Sequence, residues 1–428
     1  MSYLFSNTAY GLTIPLIPLF VVMFLKSGVV WDGIVYSLAS AASVPALLFW
    51  GNLSDSIKKR KIFVIIGFLG AGIALIPIFL VHTLGVYILF LIVAQVVGMA
   101  SVPVSNLLIF ESTQQSQWPN VMATFNMIAS TGTVLGLAIG AVMVVLYGSG
   151  VDSVIPLFYL VAGAIYILAV ISAMIILKEP SRNINRAKLG PFYSLRVIER
   201  VRYFPSSVIH IISDRKMKAL NKLSPPLRHY IYASSFLMFG FQLFILAFPV
   251  YVIQNVGGTT EDIFYLYLIN AIFSTLTFRF AGNYIRLKGG KKTLTMSLAS
   301  RFITFGAAAF LPYIVMQSTQ ALMVSMIIYA VVGAFWGFIS IGQISFVSDN
   351  AQPKQRGRAV GYYNSFFGFG QIGGSFISGV ISEYVGYSAD FAVSSLIVLA
   401  GTVLILRYYP HIRIITSDPD SVASTDSL

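Results

Sequence analysis

The sequence predicts an all-α polytopic membrane protein of twelve transmembrane helices. They form two parallel six-helix repeats, with both chain ends at the inner face. Three observations carry that expectation: long apolar runs that recur along the chain, a one-sided distribution of basic residues, and an internal repeat. Of 428 residues, 57% are hydrophobic and only 10% are charged, with a mean hydropathy of +0.81. A soluble domain carries about a quarter of its residues as charged side chains.

Taken in chain order, the apolar runs lie at roughly 4–25, 30–50, 62–81, 84–110, 120–146, 154–177, 230–253, 262–281, 293–313, 319–347, 357–383 and 388–408. Each is long enough to cross a hydrocarbon layer about 30 Å thick. Hydrocarbon leaves no partner for free backbone groups, so each run is expected to be a helix. The period-two polarity of a membrane barrel strand is absent. The first run has no basic flank or small-residue cleavage site, so it reads as a retained helix.

Orientation follows from Lys and Arg. With both ends inside, 26 of the 28 basic residues fall at the inner face, leaving Lys26 outside and Arg301 within a span. That asymmetry sets an N-in, C-in topology in the cell membrane. It also accounts for the net charge of +13 without nucleic acid as a partner, and it favours anionic lipid headgroups at the inner face. The expected division is an N-terminal bundle at 1–177, a basic cytoplasmic linker at 178–228, a C-terminal bundle at 229–409 and a disordered tail at 410–428. Phe192, Leu195, Ile198, Val201 and Phe204 mark the linker as an amphipathic surface segment.

Self-comparison shows the repeat. An offset of 231 relates Pro18 to Pro249, Tyr36 to Tyr267 and Gly51-Asn52 to Gly282-Asn283. Later in each half an offset of 238 relates Glu111 to Asp349, Asn126 to Asn364, Gly132 to Gly370 and Gly136 to Gly374. Two six-helix units inserted in the same sense are a transporter architecture, in which rocking of the units exposes a central cavity to each side in turn.

Between the second and third runs stands GNLSDSIKKRK, Gly51 to Lys61, a knot of charge between two apolar segments. It resembles the loop motif G-x-L-A-D-R-x-G-R-K of the major facilitator superfamily. Gly51, Leu53, Asp55, Lys59 and Arg60 match it, whereas Ser56 and Lys58 depart from it. GTVLGLAIGA, with Gly132, Gly136 and Gly140, is similar to the fifth-helix glycine motif of that family's antiporters, with Leu137 in place of its proline and Ala141 in place of its last glycine. The resemblance implies that Asp55 faces the inner start of the eleventh helix near Gly357. A carboxylate there gains about 0.3–1 kcal/mol from the helix dipole, and only in the state closed to the inside. It also implies a gate of Arg60 with Glu111, copied in the second half by Asp349 with Lys291 or Lys292. Gly132, Gly136, Gly140, Gly370 and Gly374 read as helix-packing positions, on helices that line the interface between halves.

The family arrangement places spans one, four, seven and ten around the cavity, flanked by two, five, eight and eleven. The mid-depth polar and aromatic residues Tyr10, Gln95, Thr133, Gln242, Asn270, Trp336 and Gln371 all fall on those spans and form the expected substrate cavity. No Asp or Glu stands at mid-depth, which leaves Asp32 and Glu111 as candidates for ion coupling. Arg301 is expected to snorkel from a peripheral span to the inner headgroups.

The chain has no cysteine and four scattered histidines. Disulfides and thiolate sites are thereby excluded, and no metal site or other cofactor is expected. No nucleophile constellation or phosphate loop suggests an enzyme or a nucleotide-driven pump. The expected function is secondary active transport of a small neutral or amphiphilic organic solute by a monomer, with drug-type efflux preferred. A metabolite or sugar permease is the alternative within transport, and a non-transporting sensor on the same fold is the alternative outside it.

Overall fold

The structure is a computed structural model that describes residues 1–57, 59–105, 108, 118–148, 151–179, 223–314, 317–351 and 356–408. Glu111, Lys58, most of the 178–228 linker and the tail lie outside the described residues, as do the side chains of Asp55 and Asp349. Every described element is helical.

Among the described residues, twelve long helices follow in order. The first half holds α1 (Ser2–Phe24), α2 (Val29–Ile57), α3 (Arg60–Leu80), α4 (Leu84–Ser105), α5 (Trp118–Tyr147) and α6 (Val151–Ile176). The second half holds α7 (Pro225–Val256), α8 (Thr260–Lys288), α9 (Gly290–Tyr313), α10 (Ser318–Asp349), α11 (Arg356–Tyr384) and α12 (Tyr387–Tyr408). All but α11 are apolar and long enough to span a membrane by composition and length. The glycine, serine and tyrosine that lower the hydropathy of α11 are the residues it needs to lie against α2 and α7. The start of α7 at Pro225 is earlier than the apolar run suggests, because the Pro225-Pro226 pair pre-sets helical φ after Ser224.

The repeat extends to backbone detail. In α1, Pro15 and Pro18 break the ordinary ladder, and the helix ends as a π-helix over Leu19–Phe24. In α7 the segment after Pro249 ends as a π-helix over Val252–Val256. Ser27 donates its backbone N–H to Val21 O at 2.9 Å, and Gly258 donates to Val252 O at 2.8 Å. Both the donors and the acceptors obey the 231-residue offset. The left-handed residue closing each helix is Lys26 (φ 51°) in one half and Gly257 (φ 79°) in the other. Glycine adopts that conformation at no steric cost, whereas for lysine it costs roughly 1 kcal/mol.

Glycines set the spacing of equivalent helix pairs. A Cβ on Gly132 would meet Leu4 O of α1 at 2.5 Å, and one on Gly136 would run into Thr8 O. In the second half Gly370 faces Ser235 O and Gly374 faces Phe239 O at 2.5 Å, both on α7. Leu4 and Ser235, like Thr8 and Phe239, are again 231 apart. These glycines therefore join helices within a half, on the same helices, α5 and α11, that lie along the interface between halves. Gly140, one turn further along α5, instead faces the other half, with Phe264 of α8 against it.

Candidate functional site: a sealed outer gate above a polar and aromatic centre

The two halves meet along α2 and α11, and along α5 and α8. On the first seam, the Glu383 carboxylate accepts from the Val30 N–H at 2.8 Å, at the N-terminus of α2. Gly33 lies against Ser375 O and Gly379, and the Ser37 hydroxyl donates to Ile372 O at 3.0 Å. The described seam reaches Gly368 against Val44. On the second seam, Phe264 packs on Gly140 and on Phe158 of α6, with 5.6 Å between ring centroids. The Thr260 hydroxyl donates to Met23 Sδ at 3.5 Å. Apart from the Gly368 and Val44 pair near mid-depth, these contacts belong to the outer halves of their helices, so the molecule is closed on that side.

Towards the inner face, Asn126 of α5 and its repeat partner Asn364 of α11 are exposed. Tyr10 is 52% exposed although Ala9 and Leu12 beside it are fully buried. An amide facing hydrocarbon would be costly. These residues therefore mark a water-accessible cleft that enters from the inside.

Beneath the outer seal lies a group of tyrosines. Tyr36 and Tyr267, the pair related by the repeat, lie within electrostatic range of each other across the junction of the halves, and the Tyr36 hydroxyl donates to Ile14 O at 3.4 Å. Tyr267 in turn meets the ring of Tyr329 of α10 edge-on, with 5.6 Å between centroids. On the first-half side, the Tyr87 and Tyr159 hydroxyls are 2.6 Å apart. Asp32 sits among them, fully buried, with neither carboxylate oxygen holding a hydrogen-bond partner among the described residues. Tyr36, Tyr87, Tyr159, Tyr267 and Tyr387 are all within its electrostatic range.

The expected cavity residues separate into groups. Trp336 stands near Phe241, with centroids 6.5 Å apart, and both lie over the Arg301 guanidinium. Asn270 spends its amide N–H on Tyr329 O at 2.9 Å. Thr133 holds the close approach of α5 to Gly11 of α1 and donates its hydroxyl to Ala129 O at 3.3 Å. Gln242 is buried beside Gly374, Gln95 and Gln371 are partly buried, and Tyr10 is exposed in the cleft.

Arg301 corrects an expectation. It is only 2% exposed and does not snorkel. It stands midway along α9, about 17 Å from either end at 1.5 Å per residue, and its side chain turns inward among aromatic rings. Asp390, near the start of α12, is an unanticipated buried carboxylate. Its Oδ2 accepts from Ser378 at 2.7 Å and from Ser382 at 2.8 Å. The i, i+4 spacing of those serines was the available signal. Tyr159 on α6 was likewise missed.

At the inner face, Leu53 is buried among Phe63, Val64, Phe68 and Val104, which anchors the end of α2. A Cβ on Gly51 would meet Pro103 Cβ at 3.8 Å, an ordinary contact. Lys59 is the exposed N-cap of α3. The buried Arg60 donates from Nη1 to Ser54 Oγ at 2.6 Å. The start of α3 is capped by Glu179, which accepts from the backbone N–H of Arg60 and, at 3.0 Å, from that of Lys61. Glu179 was not anticipated, although a carboxylate just beyond a span and near a helix start is the expected anion for such a cap. Lys291 and Lys292 are exposed at the start of α9. Among the described residues no group of three or more His, Cys, Asp or Glu could hold a metal.

A duplicated set of twelve membrane helices, sealed at one end by symmetry-related contacts and open at the other, defines a multi-pass transporter of the cytoplasmic membrane that works by alternating access. The family model of the Major Facilitator Superfamily matches residues 1–354 and 326–424, and the chain belongs to that family. Among its relatives is the multidrug resistance protein MdtG of Escherichia coli O6:K15:H31 (strain 536 / UPEC), 23% identical over 406 residues, covering 93% of this chain and 90% of that protein. MdtG of Enterobacter lignolyticus (strain SCF1) is 23% identical, with 93% and 88% covered. Among solved structures, the nucleoside transporter NupG superposes with a TM-score of 0.69 at 16% identity, covering 96% of this chain and 97% of the other. The D-xylose-proton symporter gives 0.67 at 12%, covering 95% and 96%.

Proposed function

We propose that the chain is a secondary active exporter of small neutral or amphiphilic organic solutes, acting as a monomer. Units 1–177 and 229–409 rock against each other, while the basic inner loops rest on anionic headgroups. The carrying observation is the outer gate, where the repeat-related Tyr36 and Tyr267 stand over a centre that holds Trp336 and a few amides. The names of the MdtG relatives favour efflux. The amide of Asn270 is committed to the backbone, which leaves fewer groups for the hydroxyls of a sugar. Counterflow in proteoliposomes, with chloramphenicol and rhodamine 123, tests the reading. Trans-stimulated uptake is expected, and no exchange of any neutral or amphiphilic solute would remove it.

Asp32 is the coupling site in this reading; Glu111, the other candidate, is outside the described residues. A carboxylate sealed away from water requires a positive counter-charge, and a proton or cation supplies it when the outer gate opens. Asp32→Asn is expected to keep counterflow at equal pH within about twofold. It should abolish accumulation driven by a pH gradient or an ion gradient. Retained gradient-driven accumulation in that variant would exclude the assignment.

A further inference from the structure

Among the described residues, Arg301 is a charge without a counter-charge in the middle of the second half. Its guanidinium carbon lies 5.3 Å from the Phe241 ring centroid, 5.6 Å from Phe305 and 5.8 Å from Trp336. Its Nε and Nη1 have no hydrogen-bond partner there. The hydroxyls on the same face of α9 serve their own backbone, Ser297 to Thr293 O and Thr304 to Ser300 O. The described acidic side chains of this half are committed elsewhere: Glu261 to Tyr265, Asp262 to the cap of α8, Glu383 to α2 and Asp390 to Ser378 and Ser382. Tyr329 is within its electrostatic range.

Aromatic faces stabilise the cation but supply no oxygen acceptors. Each of Nε and Nη1 belongs to one of the two edges of the planar fork that can pair with both oxygens of a carboxylate. Phe241 and Phe305 are buried, whereas Trp336 is partly exposed, so the approach to the guanidinium is past Trp336. That side chain stands on α10, a span that the family arrangement places beside the cavity.

We propose that Arg301 anchors an oxyanion, a carboxylate in the first instance, on the transported amphiphile, with Trp336 as the aromatic wall for its apolar body and Phe241 behind it. The inference rests on the export reading above and names the chemical class that the site selects. Burial of an unpaired guanidinium is tolerated in the empty centre because the aromatic rings surround it, and the substrate supplies the missing acceptors. In the unloaded carrier the fork stays preorganised, since no described side-chain carboxylate competes for it.

Fluorescein and rhodamine 123 are xanthenes of similar shape and opposite charge, and both are measured by counterflow with the full chain in proteoliposomes. The wild type is expected to exchange fluorescein. Arg301→Gln and Arg301→Lys should each lower fluorescein exchange by about tenfold or more while rhodamine 123 or chloramphenicol exchange stays within about twofold. Lysine keeps the charge but loses the fork, so Arg301→Lys decides the matter if the glutamine variant does not fold. Equal loss of all solutes in Arg301→Lys, or unchanged fluorescein exchange in it, overturns the proposal. A wild type that moves rhodamine 123 or chloramphenicol but not fluorescein overturns it too, and leaves export standing. A wild type that moves none of them removes both.

Discussion

The two ends of the α2 and α11 pair use the same sort of residue in opposite places. At the inner end, the sequence puts Asp55 at the close of α2, where it would face the start of α11 in a state closed to the inside. At the outer end, the structure shows Glu383 at the close of α11, its carboxylate on the start of α2. A carboxylate leaving one helix and meeting the positive end of a helix from the other half is a contact that rocking must break. The outer one is made, together with the Gly33, Ser375 and Gly379 contacts behind it. If Asp55 makes its contact in the state closed to the inside, the alternation is between two latches of one design, each of modest strength, supported by close packing at whichever end is shut.

The largest effect comes from fixing the outer end. Because the native chain has no cysteine, Val30→Cys with Glu383→Cys can be joined by a short, reducible bis-thiol reagent without side reactions. Transport is expected to fall more than about tenfold and to return on reduction. Full activity while cross-linked would mean that this seam does not open. A smaller effect follows from spoiling the seam sterically. A Cβ at Gly33 would meet Ser375 O at 2.6 Å and Gly379 Cα at 3.1 Å, and backbone atoms cannot swing aside. Gly33→Val should therefore cost the outward-closed state about 1–3 kcal/mol. Labelling of an outer-facing reporter cysteine should rise roughly tenfold, and an unchanged rate would show that the halves separate elsewhere.

Much of this architecture is legible in residue spacing. The offsets of 231 and 238 relate not only sequence positions but also the π-helical ends of α1 and α7 and the glycine contacts of α5 and α11. What spacing does not give is which face of a uniformly apolar helix turns inward. Arg301 shows why. With apolar residues all round α9, the face had to be read from Ser297, Arg301 and Thr304 at i, i+4 and i+7, all buried, while Ile303 is exposed. Those polar neighbours mark an inward face, and a fixed arginine rather than a snorkelling one. Tyr36 and Tyr267 are visible as a repeated pair, but their contact depends on the tilt of the halves, which no local pattern encodes. Asp390 escaped because its partners stand on a different helix.

The smallest effects are the most direct test of the comparison, because they must have opposite signs. Glu383 is exposed, so its interaction with the start of α2 is worth about 0.3–1 kcal/mol. Glu383→Gln keeps the shape of the side chain and removes the charge. It should weaken the outward-closed state by that amount, a shift of roughly two- to fivefold in population, and should raise outer labelling accordingly. Asp55→Asn removes the equivalent charge at the inner end. It should shift the population by a similar factor toward inward-open, lowering outer labelling and reducing transport. Higher salt screens both contacts, so the difference between the two variants should shrink as ionic strength rises. If both variants moved the labelling the same way, the two carboxylates would not be opposing latches. The charge at the close of α2 would then serve its own half, beside Arg60 and Ser54, rather than the junction.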